Sequence, residues 1–187
     1  MAKVKLNPVM EKMSGKIGDL VFRRYEGEVV VARKADTSGI IPTPVQVAHR
    51  ERFRLAAVYA KASLSDEVLK VVYEAAAKEK SKPAFALAVG DFLNAPMIDA
   101  IDLAAYTGKA GEKIVIRASD DIDVVNVTVA IRNAEAGAFE QGTAVFEQGS
   151  WRYTTQITLG TASGSFAVDV TAVDRPGNKT MKTQVKA

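Results

Sequence analysis

Two segments, KIVIRA at residues 113–118 and VNVTVAI at residues 125–131, alternate between two sets of side chains. A period of two places the sets on opposite faces of a β-strand, so both segments are predicted to be strands. Further short segments of this kind follow at residues 137–146, 151–159, 165–173 and 180–186. Six or seven short strands separated by turn residues predict a β-sandwich, with Trp151 and Phe166 as core aromatics.

A β-hairpin is predicted near the N-terminus, at residues 20–33. Its arms, LVFRR and EVVVAR, are rich in β-branched and aromatic residues, and Gly27 lies in the turn between them. Gly15 and Gly18 precede the hairpin and indicate a tight backbone path. A further short strand is predicted at residues 4–6.

A first helix is predicted after a linker at residues 35–42, which is rich in turn residues. Thr43 is the expected N-cap, Pro44 occupies the first helical position and Gln46 completes a capping box. The helix should run to about Ser63. Its predicted buried stripe contains Phe53, Ala56, Ala57, Ala60 and Leu64.

Two more helices are expected before residue 97. Ser65 is the predicted cap of the second, which ends at Lys78 and Lys80. The third begins near Pro83 and stops at residues 94–96. The buried residues expected on these two helices are Val68, Val71, Val72, Ala75, Ala76, Phe85, Ala88, Val89, Phe92 and Leu93.

The predicted fold class is therefore α+β: an N-terminal β-hairpin plus a three-helix region, followed by an all-β sandwich. Residues 1–96 are interpreted as a hairpin and helical assembly domain, 97–108 as a packed connector and 109–187 as the sandwich. Residues 1–96 carry a net charge of +5 and the remainder −2. The basic half is consistent with nucleic acid or an acidic neighbour as partner, and equally with an ordinary solvated surface.

Composition excludes several classes of chemistry. The 187-residue chain has no cysteine, which rules out disulfides, thiolate metal sites and cysteine nucleophiles. The first residues, MAKVKLNPVMEKMSGK, contain no apolar run typical of a signal peptide, and no stretch approaches the roughly 20 apolar residues of a membrane span. We therefore expect cytoplasmic synthesis and no membrane span, with a virion or an extracellular assembly as conceivable destinations.

The C-terminal strands resemble bacterial immunoglobulin-like domains. Residues 118–121, followed by Val124 and residues 127–129, resemble the second and third strands of such domains. Residues 170–178, VTAVDRPGN, resemble their penultimate strand and final turn. The resemblance implies an immunoglobulin-like β-sandwich.

The whole chain resembles a family of uncharacterised bacterial and phage-associated proteins. The shared pattern includes GKIGDLVF at residues 15–22, PTP at residues 42–44 with Gln46, Arg-Phe at residues 52–53 and KPAF at residues 82–85. Similar N-terminal patterns occur in phage and prophage proteins of unknown role. The resemblance implies a structural or assembly role.

No catalytic constellation is visible in the sequence. His49 is the single histidine and lies among arginines, where a surface role is expected. No nucleophile-elbow pattern is present, and residues 15–18 lack the Gly-Lys-Ser/Thr ending of a phosphate loop. We expect no enzymatic activity and identify no small-molecule substrate.

Calcium is the one cofactor for which candidate ligands exist. In an immunoglobulin-like sandwich, two loops at the same end would bring five oxygen-bearing side chains together, which suits calcium. The alternative is that these side chains hold the backbone of their own turns. The candidates are Asp120, Asp121, Asp123, Asp174 and Asn178.

Basic side chains form a second candidate site, for nucleic acid. Phe22 and Tyr25 could stack on bases beside them. In the alternative interpretation Arg23 and Arg24 pair with Glu26, Glu28 or Glu51, and Phe22 lies in the core. The candidate residues are Arg23, Arg24, Arg33, Lys34, Arg50 and Arg54.

The hairpin is the candidate assembly site, because two strands alone are marginal in water and must pack within their own domain or against another copy. We expect a non-enzymatic structural or interaction protein: a homo-oligomeric subunit of a phage-like particle or filament, displaying an immunoglobulin-like domain. The alternatives are a nucleic-acid-binding accessory protein and a surface- or glycan-binding module. The assembly residues are Val21, Phe22, Tyr25, Val29 and Val31.

Overall fold

The computed structural model describes residues 2–3, 14–26, 28–133, 139–158 and 166–186. Within these ranges the chain has three α-helices and three four-stranded antiparallel sheets, so the predicted α+β class is confirmed. The chain divides into two compact units, residues 1–44 and residues 45–187. The predicted domain limits at residues 96 and 108 both fall inside the second unit.

The first unit is a four-stranded sheet in the order β1-β4-β3-β2. Its strands are β1 Ala2–Lys3, β2 Gly15–Ile17, β3 Leu20–Tyr25 and β4 Glu28–Arg33. Tyr25 pairs with Glu28, which confirms the predicted hairpin. Gly18, at a φ of 58°, turns the chain between β2 and β3 and confirms the tight path. Residues 4–6 and Gly27 lie outside the described residues.

The second unit begins with three helices, α1 Pro44–Ser65, α2 Glu67–Lys80 and α3 Ala84–Leu93. The predicted start at Pro44 and the end of α2 at Lys80 are confirmed. The cap of α2 is Asp66 rather than Ser65, which is the last residue of α1. The Asp66 carboxylate accepts hydrogen bonds from the backbone amides of Val68 and Leu69, at 3.0 and 2.9 Å.

The predicted helix faces were correct only in part. Ala56, Ala60, Ala88 and Val89 are buried as expected. The predictions for five apolar side chains were wrong, and these are exposed: Phe53 (50%), Val68 (72%), Val71 (66%), Phe85 (39%) and Ala75. Tyr73 and Leu87 are buried instead, so α2 packs through the side opposite to its valines.

Two further sheets share one apolar core in the second unit, with strand orders β5-β6-β10-β9 and β12-β11-β7-β8. We call this pair of sheets the sandwich. Trp151 and Phe166 are buried in its core, as predicted. The strands are β5 Met97–Asp102, β6 Lys113–Ser119, β7 Val124–Asn133, β8 Phe139–Thr143, β9 Val145–Glu147, β10 Ser150–Thr154, β11 Phe166–Asp174 and β12 Lys179–Lys186.

The connector prediction for residues 97–108 was wrong for its first six residues, which form β5. The pairing of β5 with β6 shifts register between Ile98 and Ala100, and this bulge moves Ile101 onto the same side as Ile98. The inward-facing residues Ile98 and Ile101 are three positions apart, which breaks the period of two. The strand was therefore not recognised from the sequence. The predicted packing of the segment is confirmed, because Leu103 and Tyr106 are buried.

Two other strand predictions need correction. The single strand predicted at residues 137–146 is divided into β8 and β9, which belong to different sheets, and Ala144 lies buried between them. The predicted alternation puts Val125 in the same set as Val127, but Val125 is 44% exposed, and Val124 is buried with Val127 instead. The pairing of β7 with β11 shifts its register at the start of β7, so the residues before the shift face the opposite side of the sheet from the one their spacing predicts.

Two lysines join one side of the sandwich across its sheets. The Lys182 ammonium donates to the carbonyl of Ile98 at 3.0 Å, and that of Lys186 donates to the carbonyl of Leu103 at 2.7 Å. Both lysines belong to β12, an edge strand. Inward lysines on an edge strand discourage another strand from pairing there.

We expect Gly108→Ala to lower the free energy of unfolding by about 2–4 kcal/mol, through overpacking added to backbone strain. Gly108 has a φ of 95°, and a Cβ atom there would lie 2.7 Å from Cζ of Phe166. Gly111 is the matched control, because its φ is 85° and a Cβ would have no neighbour within 4 Å. Urea denaturation measures both variants, and equal losses would contradict the predicted clash.

Candidate functional site

The five predicted assembly residues lie on both faces of the first unit's sheet. Pairing in β3 and β4 puts Phe22 beside Val31, with Val29 on the same face, whereas Val21 and Tyr25 lie on the other. Val29 is the one buried side chain among the described residues of this sheet. Phe22, Val21 and Val31 are half-buried, and Tyr25 is 67% exposed.

Other apolar side chains of this sheet are also open to solvent. Ile17 is 57% exposed and Leu20 is 43% exposed. By register, Leu20 and Ile17 belong to the face of Phe22. A sheet of short strands with apolar side chains on both faces buries little of its own surface, which is typical of an element that contacts a partner.

The basic candidates fall in different units. Arg23, Arg24, Arg33 and Lys34 belong to the first unit, and Arg50 and Arg54 belong to α1 in the second. Arg54 donates two hydrogen bonds to the Glu51 carboxylate, at 2.6 and 2.9 Å. His49 is exposed on the same helix.

A shallow cleft lies beside β4 in the first unit. Arg33 and Lys34 line it together with two acids, Asp19 and Asp36, and the short polar segment that follows. The Asp36 carboxylate accepts hydrogen bonds from the backbone amide and hydroxyl of Ser38, at 3.0 and 2.6 Å. The cations of this cleft are thus matched in number by carboxylates, which weakens its attraction for an anion.

The predicted calcium ligands are engaged elsewhere. Asp123 forms an ion pair with Arg175 at 3.0 Å, and Asp121 accepts a hydrogen bond from the Asn94 amide. In the part of the chain that the structure covers, no group of three or more acidic or histidine side chains is arranged to hold a metal ion. Hydrogen bonds and an ion pair thus engage Asp121 and Asp123 in the structure, and calcium binding stays a prediction.

Asn178 acts as a donor that joins the sandwich to α3. Its side-chain amide lies 3.2 Å from the carbonyl oxygen of Asp91, 3.3 Å from that of Phe92 and 2.9 Å from that of Asn94. Carbonyl groups in the last turn of a helix have no partner within the helix, so Asn178 satisfies them from outside. The same amide also donates to the Asp174 carboxylate at 2.7 Å.

Asp174 is buried at the end of β11, where the turn to β12 surrounds it. Its carboxylate accepts the backbone amide of Asn178 at 2.6 Å in addition to the side-chain amide. Burial raises the pKa of Asp174, and its hydrogen bonds from Asn178 oppose that shift. The two residues thus fix the turn that carries the donor for α3.

Asp91 is a buried acid in α3 that sequence reasoning missed. Its Oδ2 accepts a hydrogen bond from the Tyr73 hydroxyl at 2.5 Å, and the Tyr73 and Tyr59 hydroxyls are 2.9 Å apart. Its Oδ1 is buried without a hydrogen-bond partner. The pKa of Asp91 is raised to about 7, chiefly by burial and also by the neighbouring Asp120 carboxyl, while the hydrogen bond from Tyr73 lowers it. The sequence did contain a signal for this residue, because Asp91 is the single charged residue of α3, whose sequence is AFALAVGDFL.

The sequence matches no family model and no curated protein. Two solved structures each resemble about half of the chain. The first is a conjugative transposon lipoprotein from Bacteroides eggerthii, with 14% identity, a TM-score of 0.26, and coverage of 48% of this chain and 92% of its own. The second is a conjugate transposon protein from Bacteroides vulgatus, with 14% identity, a TM-score of 0.25, and coverage of 48% and 80%. At this similarity neither assigns a function. Among the described helices, none is both long and apolar enough to cross a membrane.

Proposed function

We propose that this chain is a non-enzymatic structural protein that associates with copies of itself through the sheet of its first unit. The observation that carries the proposal is the exposure of apolar side chains on both faces of that sheet, with Tyr25 at 67% and Ile17 at 57%. Soluble monomers rarely leave such a surface uncovered. A second copy of the sheet offers apolar faces of the same kind.

The energetics favour association over display of this surface. Covering a large apolar side chain contributes about 1.5–3 kcal/mol. Association costs about 4–15 kcal/mol in lost freedom of motion, so several such side chains must be covered together. Ile17 and Leu20, with the half-buried Phe22 and Val31, form such a set on one face of the sheet.

In this proposal the sandwich is an immunoglobulin-like domain displayed by the assembly. Its two sheets have strand orders that match the first-second-fifth-fourth and the last-sixth-third arrangement of immunoglobulin folds, with β8 as an added strand. A phage-like particle or a filament is the setting that the sequence resemblance suggests.

We expect Ile17→Asp to reduce self-association of the intact chain, because a charge on the face of Leu20 and Phe22 must lose its water when a second copy covers it. The matched control is Met181→Asp, which places the same charge at a side chain that is 68% exposed on β12. Light scattering across a concentration series measures the mass of each variant.

The expected result is a mass near the 20.0 kDa of one chain for Ile17→Asp, with the control retaining the wild-type mass. If both variants associate as the wild type does, the contact does not involve this sheet face. Circular dichroism establishes that each variant is folded.

A further inference from the structure

Asp91 lies where the helices meet the sandwich, and the groups that face it are acids and phenols. Tyr73 of α2 donates to it directly, and Tyr59 of α1 reaches it through Tyr73. Asp120, between β6 and β7, and Asp174, at the end of β11, both disfavour a negative charge at this position. Within the described ranges no cation pairs with Asp91, which is fully buried.

The side chain of Asn178 also bonds to the end of α3, beside Asp91. Asn178 donates to the main-chain carbonyl of Asp91 as well as to those that follow it in α3. Asn94, just after α3, donates to the Asp121 carboxylate, and Lys80 donates to the Asp121 carbonyl. The contact between the helices and the sandwich therefore combines these polar bonds with the apolar packing of Ile122 against the helices.

We propose that this junction is a proton-sensitive latch, in which a proton held between the Asp91 and Asp120 carboxyls fastens α3 to the segment between β6 and β7. A protonated Asp91 uses its Oδ1 as a donor to Asp120, while its Oδ2 continues to accept from Tyr73. This arrangement supplies a partner for the one buried oxygen of the site that has none. It goes beyond the proposed assembly role and lies in the other unit of the chain.

The direction of the pH dependence follows from linkage. The pKa of Asp91 is about 7 with the junction closed and returns to its ordinary value of 3.8 when the junction opens. The latch is therefore fully effective below that ordinary value and weakens as the pH rises through about 7. Between the ordinary pKa of 3.8 and about pH 7, the equilibrium constant for opening the junction rises by up to about tenfold per pH unit. Above about pH 7 it stays constant. Asp174 acts in the same direction, because burial also raises its pKa.

Hydrogen exchange of the intact chain at pH 5 to 8 tests the latch. We expect the protection factors of amides in α3 and in residues 119–123 to fall as the pH rises to about 7. Asp91→Asn should make this dependence shallow, since its amide donates to Asp120 at every pH and its oxygen still accepts from Tyr73. Asp123→Asn is the matched control, because Asp123 pairs with Arg175 on the surface and should leave the wild-type dependence intact.

Asp120→Asn provides a second variant, in which the new amide donates to Asp91 from the other side and should also flatten the profile. An unchanged pH dependence in the folded Asp91→Asn protein, or in Asp120→Asn if the first variant does not fold, overturns the latch. Because the readout is local to the second unit, this result is independent of whether the chain self-associates.

Discussion

Replacing Glu140 with alanine is expected to lower the free energy of unfolding by about 3–5 kcal/mol. Glu140 is 3% exposed in β8, and its carboxylate is the acceptor for three donors. These are the Tyr153 hydroxyl at 2.7 Å, the amide of Gln156 at 2.5 Å and that of Ile157 at 3.2 Å. Alanine leaves all three donors without their acceptor and opens a cavity, so thermal or urea unfolding should show the loss directly.

Two variants separate this effect from a general loss of acidic charge. Glu140→Gln keeps the volume and one acceptor oxygen, and we expect a smaller loss of about 1–2 kcal/mol. Glu147→Ala removes an exposed carboxylate that lies 3.9 Å from Arg152, and its effect should stay within about 1 kcal/mol. Equal stability of Glu140→Ala and Glu147→Ala would show that the buried carboxylate does not hold the donors together.

Asn178→Ala is expected to cost about 2–4 kcal/mol, because it removes the donor shared by the α3 carbonyls and by Asp174. The Asp174 side chain is 1% exposed, so water does not readily replace the lost bond. We expect the loss of stability in denaturant unfolding to be accompanied by faster hydrogen exchange in the last turn of α3.

The control for this prediction is Asn94→Ala. Asn94 also donates to a carboxylate, that of Asp121, but both side chains are exposed and water can substitute for the bond. Its loss should stay near 0.5–1 kcal/mol, as is typical of surface interactions. An Asn178→Ala protein no less stable than Asn94→Ala would remove the joining role assigned to Asn178.

The strands were predictable wherever one face alternates without interruption. In β6, Ile114 and Ile116 are buried as their spacing predicted. The alternation of β11 continues through nine residues and places Asp174 inward at its end, so this buried acid could have been recognised. The pattern failed at β5, where the bulge after Ile98 puts inward residues three apart.

The helix faces were harder to predict, because alanine-rich helices carry weak contrast between their sides. In α2 the exposed Val68 and Val71 are more hydrophobic than the buried Tyr73, so hydrophobicity alone selected the wrong side. Tyr73 is buried because its hydroxyl has polar partners, and those partners belong to other helices. Such pairings depend on tertiary contacts, which a single sequence does not display.

For the candidate sites, too, local features could be predicted from the sequence, whereas tertiary contacts could not. The hairpin followed from local chemistry and is confirmed, whereas the distribution of its apolar residues over two faces required the register of β3 and β4. Among the acidic candidates, Asp121 and Asp123 have partners, Asn94 and Arg175, that lie distant in sequence. Those partners make hydrogen bonds and an ion pair where the sequence suggested a metal.

The central claim is self-association through the first unit, and the mass of the intact wild-type chain in solution tests it most directly. Light scattering over a wide concentration range, with negative-stain electron microscopy of the same samples, should give masses well above 20.0 kDa and regular particles or fibres. A mass of one chain at every concentration, with no ordered particles, would contradict the account.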